Sequence, residues 1–251
     1  MKRFTALILA ILMILSVTSA LADSWKCPDC GATNDGKFCS NCGAKKPGEN
    51  NYQVGEYVSL GRWEQNGDSS DGAEKIWWVI IDKKGDKLFL LSHKALANLP
   101  FNKTSNKAAW GSCSLRKWLN NDFYTSAFNK DERAAIQTTK VQDNKEHTYY
   151  EWNTKGRLSG TTEDKVFLLS FLEVRTLLNN KTIWCQPTAV VANKKIRSAK
   201  GYCAYWLRTS AYKNNAGVVW YDGNFTTAYE HNPYYTVRPA LWVEASAVKG
   251  K

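Results

Sequence analysis

Methionine, histidine and long apolar runs are scarce in this sequence of 251 residues. The two methionines are Met1 and Met13, and the three histidines, His93, His147 and His231, lie in unrelated contexts without a Cys-His motif. Beyond the N-terminus, no stretch approaches the roughly 20 apolar residues that a membrane-spanning helix needs. We therefore expect no transmembrane segment in the remainder of the chain.

Motifs of the common enzymes and nucleic-acid-binding proteins are also missing. The sequence contains no G-x-S-x-G, H-E-x-x-H, P-loop, helix-turn-helix or RNP signature, so we expect neither catalysis nor nucleic-acid recognition. The triplet Gln186-Pro187-Thr188 lacks the carboxylate with which calcium-dependent lectins ligate Ca²⁺. The formal net charge of +11 is compatible with binding to an anionic polymer or membrane surface, and also with solubility alone.

The N-terminus carries the one long apolar run. Two basic residues precede a run from Phe4 to Val17, and Ala20 and Ala22 form the A-x-A pattern that signal peptidase accepts. These are the features of a secretory signal, so we predict that residues 1–22 are cleaved. The mature protein is then expected to be secreted, extracellular or at the cell surface.

Four of the seven cysteines follow closely, in CPDCGATNDGKFCSNCG. They form two C-x-x-C-G units around the hairpin signal Asn34-Asp35-Gly36, and they are Cys27, Cys30, Cys39 and Cys42. Four thiolates suit tetrahedral Zn²⁺, and a segment of about 20 residues has too little core to fold alone. We therefore predict a structural zinc site, which resembles the short bacterial zinc-ribbon family with its pattern C-P-x-C-G, a turn and F-C-x-x-C-G.

Disulfides are the alternative for these cysteines, because exported proteins meet oxidants. A disulfide within C-x-x-C is typical of redox centres, and no thioredoxin-like βαβ pattern surrounds it; cross-pairing between the two units stays open. Three further cysteines, Cys113, Cys185 and Cys203, make the count odd, which argues against a full disulfide framework. We expect Cys113 to be buried, and a Cys185–Cys203 disulfide stays open.

The chain is expected to be modular. We predict a zinc ribbon over residues 23–46, a polar linker with proline and glycine over 47–51, and an α+β domain over 52–248. In that domain we expect early helices and a C-terminal antiparallel sheet. Pro239 has no N–H to donate, so its strand should lie at a sheet edge or carry a bulge.

Local patterns place several elements of this domain. The segment KIWWVIIDKKGDKLFLLS predicts a hairpin, and DKVFLLS a buried strand. Apolar spacing in CSLRKWLNNDFYTSAF predicts a helix with a break near Asn121. Asn129 is the predicted N-cap of a second helix, and Ser170 and Glu173 form a capping box that opens a third, ending near Leu178.

Five segments resemble, in order, the signatures of a widespread secreted bacterial family that carries only a domain-of-unknown-function label, and whose members often carry a zinc ribbon. These segments are WGSCSLRKWLNNDFYTSAF, DKVFLLSFLEV, YWLRTS, AGVVWYDG and VRPALWV. The C-terminal half also resembles the C-type-lectin-like fold of formylglycine-generating-enzyme-type and fibrobacterial surface domains. That resemblance implies a copper oxidase using a cysteine pair; Cys185 and Cys203 would have to serve, but their surroundings do not match.

Aromatic and polar residues between Trp206 and Tyr235 favour a binding module, because rings stack on sugars and polar tips fix their orientation. We expect a glycan, cell-wall polymer or protein ligand. The residues named for it are Trp220, Tyr221, Asn224, Tyr229, His231, Tyr234 and Tyr235. Strand alternation should bury at least one ring of the Trp220–Tyr221 pair, whereas the loop 229–235 should be exposed.

Two other hypotheses are an enzyme and a purely structural interaction domain. Carboxylate pairs such as Glu163 and Asp164 exist, but the sequence does not place them across a cleft. For the signature residues we predict structural roles, with tryptophans in the core and guanidinium groups stacked on rings or paired with carboxylates. These residues are Trp118, Trp206, Arg208, Arg238 and Trp242.

Overall fold

The structure is a computed structural model that describes residues 24–36, 38–44, 46, 52–149, 152 and 157–250. The chain divides into two compact units, residues 1–49 and 50–251. The predicted signal peptide (1–22) and linker (47–51) lie outside the described residues. No helix among the described residues is long and apolar enough to cross a membrane.

The first unit is built on a short antiparallel pair, β1 (Trp25–Lys26) and β2 (Thr33–Asn34). Its small core consists of Trp25 packed with Cys27 and Cys39. The Trp25 indole N–H donates to the carbonyl of Gly36 at 2.7 Å, which ties the start of the unit to the end of its turn. Two of the three buried side chains in this core are therefore cysteines, which can ligate a metal ion.

Strands run through the whole second unit. In chain order they are β3 (Tyr57–Trp63), β4 (Glu74–Lys84), β5 (Lys87–Ser92), β6 (Lys94–Ala95), β7 (Ala97–Asn98), β8 (Thr139–Asp143), β9 (Gly160–Asp164), β10 (Gln186–Pro187), β11 (Ser198–Ala199), β12 (Tyr202–Cys203), β13 (Tyr205–Ser210), β14 (Asn215–Val219), β15 (Phe225–Tyr229), β16 (Thr236–Val237), β17 (Ala240–Glu244) and β18 (Lys249–Gly250).

Two five-stranded sheets organise these strands. The first has the order β17-β5-β4-β3-β18, and all its neighbouring pairs are antiparallel. The second has the order β15-β14-β13-β16-β7 and is antiparallel except for the β13–β16 pair. The α+β class is confirmed, and the predicted early hairpin is β4–β5, in the middle of the first sheet.

The helices are short. They are α1 (Ser114–Trp118), α2 (Tyr124–Ala127), α3 (Lys130–Ala135), α4 (Phe171–Leu177) and α5 (Ala189–Ala192), with 3₁₀ turns at Trp110–Ser112, Lys145–His147 and Ala245–Ala247. The predicted N-cap Asn129 begins α3 and also forms a capping box with Glu132, and the predicted capping box of Ser170 and Glu173 begins α4. The predicted break near Asn121 is a π-helical turn, Leu119–Phe123, that joins α1 to α2.

One hydrophobic core spans elements of both sheets and the helices. Trp78, Trp110 and Trp206 are fully buried within it. Each indole N–H has an acceptor: the Leu60 carbonyl for Trp78, the Asp164 carboxylate for Trp110 and the Leu99 carbonyl for Trp206. The core therefore accommodates large amphipathic rings without leaving their donors unsatisfied.

The predicted strand DKVFLLS is buried but is not a strand. Only Phe167 forms a bridge, with Ala240. Side chains bond two of its other backbone groups, since Asn120 accepts from the Lys165 N–H at 2.7 Å and Arg208 donates to the Leu168 carbonyl at 2.8 Å. The Arg208 N–H also donates to the Leu169 carbonyl at 3.0 Å, so isolated hydrogen bonds take the place of the ladder that the apolar run predicted.

The prediction that the strand of Pro239 lies at a sheet edge is confirmed. Arg238 and Pro239 lie between β16, in the second sheet, and β17, in the first, so the chain crosses from one sheet to the other at these two residues. β17, which begins directly after Pro239, is an edge strand, and the Pro239 carbonyl accepts from the Ser92 N–H at 2.9 Å. A residue without an N–H suits this position because no ladder hydrogen bond is lost.

Candidate metal centre and candidate ligand surface

Two equivalent turns bring the four N-terminal cysteines together. The Gly31 N–H donates to the Cys27 carbonyl at 2.8 Å, and the Gly43 N–H donates to the Cys39 carbonyl at 2.9 Å. Both glycines have positive φ, 74° and 73°, a conformation that glycine adopts without steric cost. The glycine after each C-x-x-C thus closes the turn that points two sulfurs to one side.

The sulfur geometry fits a tetrahedral ion. The four Sγ atoms lie within 4.8 Å of one another, with Cys27–Cys42 and Cys30–Cys39 separations of 3.5 Å. Zinc–sulfur bonds of about 2.3 Å place the sulfurs of a tetrahedron about 3.8 Å apart, whereas a disulfide requires about 2.05 Å. The four cysteines are free and form a possible metal site.

Backbone hydrogen bonds favour the thiolate form that a metal requires. The Ala32 N–H is the main cause that lowers the pKa of Cys30. Burial acts to raise the pKa of Cys39, but the N–H groups of Cys42 and Asn41 outweigh it and lower this pKa to about 6. The local turns therefore favour the thiolate form of Cys30 and Cys39, which is the form that ligates a metal.

Crowding of the sulfurs has the opposite effect on the fourth thiol. The Ala44 N–H lowers the pKa of Cys42, yet the neighbouring Cys27 and Cys30 raise it to about 12. Negative charge accumulates as these thiols ionise, and a cation at their centre removes the repulsion. Cys27, Cys30, Cys39 and Cys42 are thus the residues that would hold a metal, which would act as a structural cross-link.

Asn34 connects the two turns, a role that the sequence did not predict. Its Nδ2 donates to the Ala32 carbonyl at 2.9 Å, and its Oδ1 accepts from the Ser40 N–H at 2.9 Å and from the Ser40 hydroxyl at 3.0 Å. The side chain is buried, so both turns depend on it for their relative position.

The predicted ligand residues do not form one group. Tyr229 lies opposite Asn215 at one end of the β14–β15 hairpin, whereas Trp220 and Tyr221 follow Val219 at the other end. About four residues of extended chain, roughly 13 Å, separate the two ends. Tyr229 and His231 are therefore distant from the rest of the predicted set.

Three burial predictions were wrong. Tyr235 is only 5% exposed and packs on Trp206, with ring centroids 4.7 Å apart, so it belongs to the core rather than to an exposed loop. Trp242 is half-buried and stacks on Phe89 at 4.9 Å. Trp220 and Tyr221 do not face opposite sides: both are half-buried, and their rings lie 4.9 Å apart.

The turn end of the hairpin carries a larger aromatic surface than the sequence indicated. We call it the aromatic patch and define it as Trp184, Tyr202, Trp220, Tyr221 and Tyr234. Trp184, 43% exposed, lies 5.1 Å from the Tyr202 ring. Its indole also packs against Gly223 of the hairpin turn, where an added Cβ would lie 2.8 Å from Nε1. Only the absence of a side chain at 223 permits this approach.

Basic side chains border the aromatic patch. Lys195 Nζ lies 5.3 Å and the Arg197 guanidinium carbon 5.6 Å from the centroid of the Tyr234 ring. Lys194, Lys195, Arg197 and Lys200 are all exposed. Asn224, within the adjacent turn, is exposed as well, and its side-chain amide donates to Asp222 at 3.0 Å. The surface thus combines rings with positive charge.

The two signature arginines are buried and serve the core. Arg208 Nη2 donates to Glu173 Oε1 at 2.7 Å, and its guanidinium lies 5.9 Å from the Phe167 ring. Arg238 donates to the Ser92 carbonyl at 3.0 Å and lies 5.2 Å from the Tyr205 ring. The half-buried Trp118 contacts Phe123, with centroids 5.4 Å apart.

The model of a family described as a domain of unknown function, DUF6273, matches residues 85–245. This chain belongs to that family. No curated protein and no solved structure matches the chain. The resemblance to the C-type-lectin-like fold therefore stays a prediction.

The DUF6273 match begins in the turn between β4 and β5, so β3 and the whole of β4 precede it although they belong to the first sheet. Within the match, Cys185 and Cys203 are free and each 1% exposed. Cys203 Sγ donates to the Cys185 carbonyl at 3.4 Å. Cys113 is fully buried, as predicted, and burial raises its pKa to about 12; its Sγ accepts from the Arg116 N–H at 3.4 Å and so caps α1.

Proposed function

We propose that this chain is an exported, non-catalytic binding protein in which a zinc-stabilised ribbon precedes a DUF6273 unit that binds an anionic cell-wall glycan polymer. The observation that carries the proposal is the aromatic patch with its border of exposed basic side chains. Rings supply apolar faces for sugars, and lysine and arginine attract the acidic groups of a polymer.

The geometry of the aromatic patch supports a polymer rather than a single small molecule. Its rings follow one another from Trp184 and Tyr202, across the turn at Gly223, to Trp220 and Tyr221. Such a row of partly exposed rings offers several contacts to a repeating ligand, each of them modest in energy. Arg197 also donates its N–H to the Tyr234 carbonyl at 2.7 Å, which holds the basic segment beside the rings.

Zinc in the ribbon supports the same function indirectly. The first unit has only a small described core, so a metal would contribute most of its folding free energy. Export is proposed from the predicted signal sequence. The enzyme hypothesis has less support, because the thiols of Cys185 and Cys203 are buried where a substrate does not reach them.

Cosedimentation with purified bacterial cell wall tests the proposal. We expect the mature chain to bind walls that retain their anionic polymers, and to bind less after those polymers are removed with hydrofluoric acid. Binding should weaken with added salt, since exposed charges are screened within about 10 Å at 0.1 M. Trp184→Ala and Tyr221→Ala should each weaken binding by about tenfold.

Tyr212→Ala is the matched control, because Tyr212 is 55% exposed but lies at the other end of β14 from the patch. Tyr229→Ala tests the end of the hairpin away from the turn, where the sequence predicted a further ligand residue. If no variant differs from the native chain, or if Tyr212→Ala weakens binding as much as Tyr221→Ala, the aromatic patch is not the binding surface. Binding that survives the loss of anionic polymer would point instead to the glycan backbone.

A further inference from the structure

A cavity of about 530 Å³ lies in the second unit, apart from the residues of the aromatic patch. It is lined by residues from β4, β6 and the segments after β3, β5 and β10, chiefly Gln65, Glu74, Trp77, His93, Lys94 and Thr188. Its volume falls within the range of about 300–1,000 Å³ found for small-molecule sites.

Backbone hydrogen bonds hold the walls of this cavity together. The Thr188 N–H donates to the Ala95 carbonyl at 3.2 Å, and the Val190 N–H donates to the Gln65 carbonyl at 3.1 Å. The neighbouring strands β10 and β6 pair in parallel. The segment carrying Thr188 is therefore fixed against β6 and the segment that follows β3.

Two polar atoms of the wall have no protein partner among the described residues. Thr188 is 1% exposed, and its hydroxyl makes no hydrogen bond. Thr188 is the N-cap residue of α5, but its side chain does not accept from the backbone N–H groups of that helix. Glu74 Oε2 accepts from the Gln65 N–H at 2.6 Å, but its Oε1 is buried without a partner. A buried polar atom left without a partner costs about 1–3 kcal/mol, a cost that a hydrogen-bonding group in the cavity would remove.

The chemistry of the wall narrows what that group can be. A carboxylate oxygen only accepts hydrogen bonds, and a threonine hydroxyl can donate or accept, so the ligand must carry hydroxyl or N–H donors. Trp77 and Leu96 add an apolar wall against which a ring can lie. Lys75 and Lys94 line the same cavity, and their positive charges repel a ligand that carries a charged amine.

We propose that this cavity is a binding site for a saccharide ring, with Glu74 and Thr188 as hydrogen-bond partners of its hydroxyl groups and Trp77 as its apolar wall. The aromatic patch shares no residue with this site. The proposal therefore stands whether or not the patch binds a polymer.

Calorimetry and saturation-transfer NMR on the full mature chain test the site with three neutral trisaccharides: chitotriose, cellotriose and maltotriose. At least one of them should bind at about 1 mM or tighter. Thr188→Val keeps the shape of the side chain and removes the hydroxyl, and Glu74→Gln keeps an acceptor for the Gln65 N–H. Each variant should weaken that binding by about tenfold.

Ser210→Ala is the matched control, because the Ser210 hydroxyl is also buried without a partner but does not line the cavity. It should leave saccharide binding unchanged, and neither it nor Thr188→Val should lower the melting temperature. The proposal is overturned if none of the three trisaccharides binds, which would leave the cavity to water. It is equally overturned if binding is lost in Trp184→Ala and retained in both cavity variants, which would assign the saccharide to the aromatic patch.

Discussion

Arg208 on β13 and Glu173 on α4 form a two-pronged ion pair inside the second unit. Arg208 Nη1 and Nη2 donate to the two carboxylate oxygens of Glu173, the latter at 2.7 Å. The same carboxylate accepts from the Ser170 N–H at 2.8 Å and so completes the capping box of α4. One acidic side chain therefore both starts a helix and joins it to the second sheet.

Replacing Glu173 should destabilise the protein strongly. We expect Glu173→Gln to lower the free energy of unfolding by about 3 kcal/mol in urea denaturation, because Arg208 is left buried without its counter-charge. Glu132→Gln is the matched control, since Glu132 occupies the same capping-box position at α3 and forms no ion pair with an arginine among the described residues. It should cost less than about 1 kcal/mol. Equal losses in the two variants would contradict a special role of the ion pair.

The same ion pair predicts a pH dependence. Burial acts to raise the pKa of Glu173, but Arg208 and the Ser170 N–H outweigh it and lower that pKa. A carboxyl with a lowered pKa in the folded state stabilises the protein above its unfolded pKa of about 4.3, and this contribution is lost as the pH falls further. Urea titrations from pH 7 to pH 3 should show a steeper loss of stability in the native chain than in Glu173→Gln. Parallel curves would refute the prediction.

The four-cysteine site should bind one zinc ion per chain. Elemental analysis of protein purified without added metal should give one equivalent, and Cys27→Ser should lose it because a tetrahedral site cannot keep its geometry with three thiolates. Cys113→Ala removes a buried thiol elsewhere and should keep the metal. Four oxidised cysteines without metal would favour the disulfide alternative.

Removal of the first unit should leave the second unit intact. Residues 52–251 contain the whole described core of the second unit, so they should melt cooperatively at about the temperature of the mature chain. Calorimetric scans of both proteins provide the measurement. A decrease of more than several degrees in the shorter chain would mean that the two units stabilise each other.

Two tyrosines of the predicted loop should behave in opposite ways. Tyr235→Ala should lower the free energy of unfolding by about 3 kcal/mol, because Tyr235 packs on Trp206 in the core. Tyr229→Ala should change it by less than about 0.5 kcal/mol, because that side chain is 58% exposed. Urea denaturation measures both, and similar losses would contradict the observed burial.

Local chemistry explains which elements the sequence predicted. The N-cap Asn129, the capping box at Ser170 and the hairpin β4–β5 depend on residues a few positions apart, so the sequence predicted them. The metal site follows from the same kind of short-range pattern. The segment 164–170 was misread because its backbone partners, Asn120 and Arg208, lie about 40 residues away on either side.

The ligand surface was only partly predictable for a related reason. Tyr229 and Tyr235 lie in one loop, but that loop leads from one end of the β14–β15 hairpin to the other, and only the fold decides which ring reaches the core. Trp184 joins the aromatic patch because its indole packs against Gly223, which lies nearly 40 residues away in the sequence. Thr188 and Glu74 carry no motif at all; only the absence of partners in the folded chain identifies them.

The crossing at Arg238 and Pro239 has a consequence for biosynthesis. β16 lies inside the second sheet, between β13 and β7, while β17 and β18 form the two edges of the first. Neither sheet can therefore be completed until residues 236–250 have been made. Because pairings between strands distant in sequence form slowly, we expect both sheets to form late, after this segment has left the ribosome.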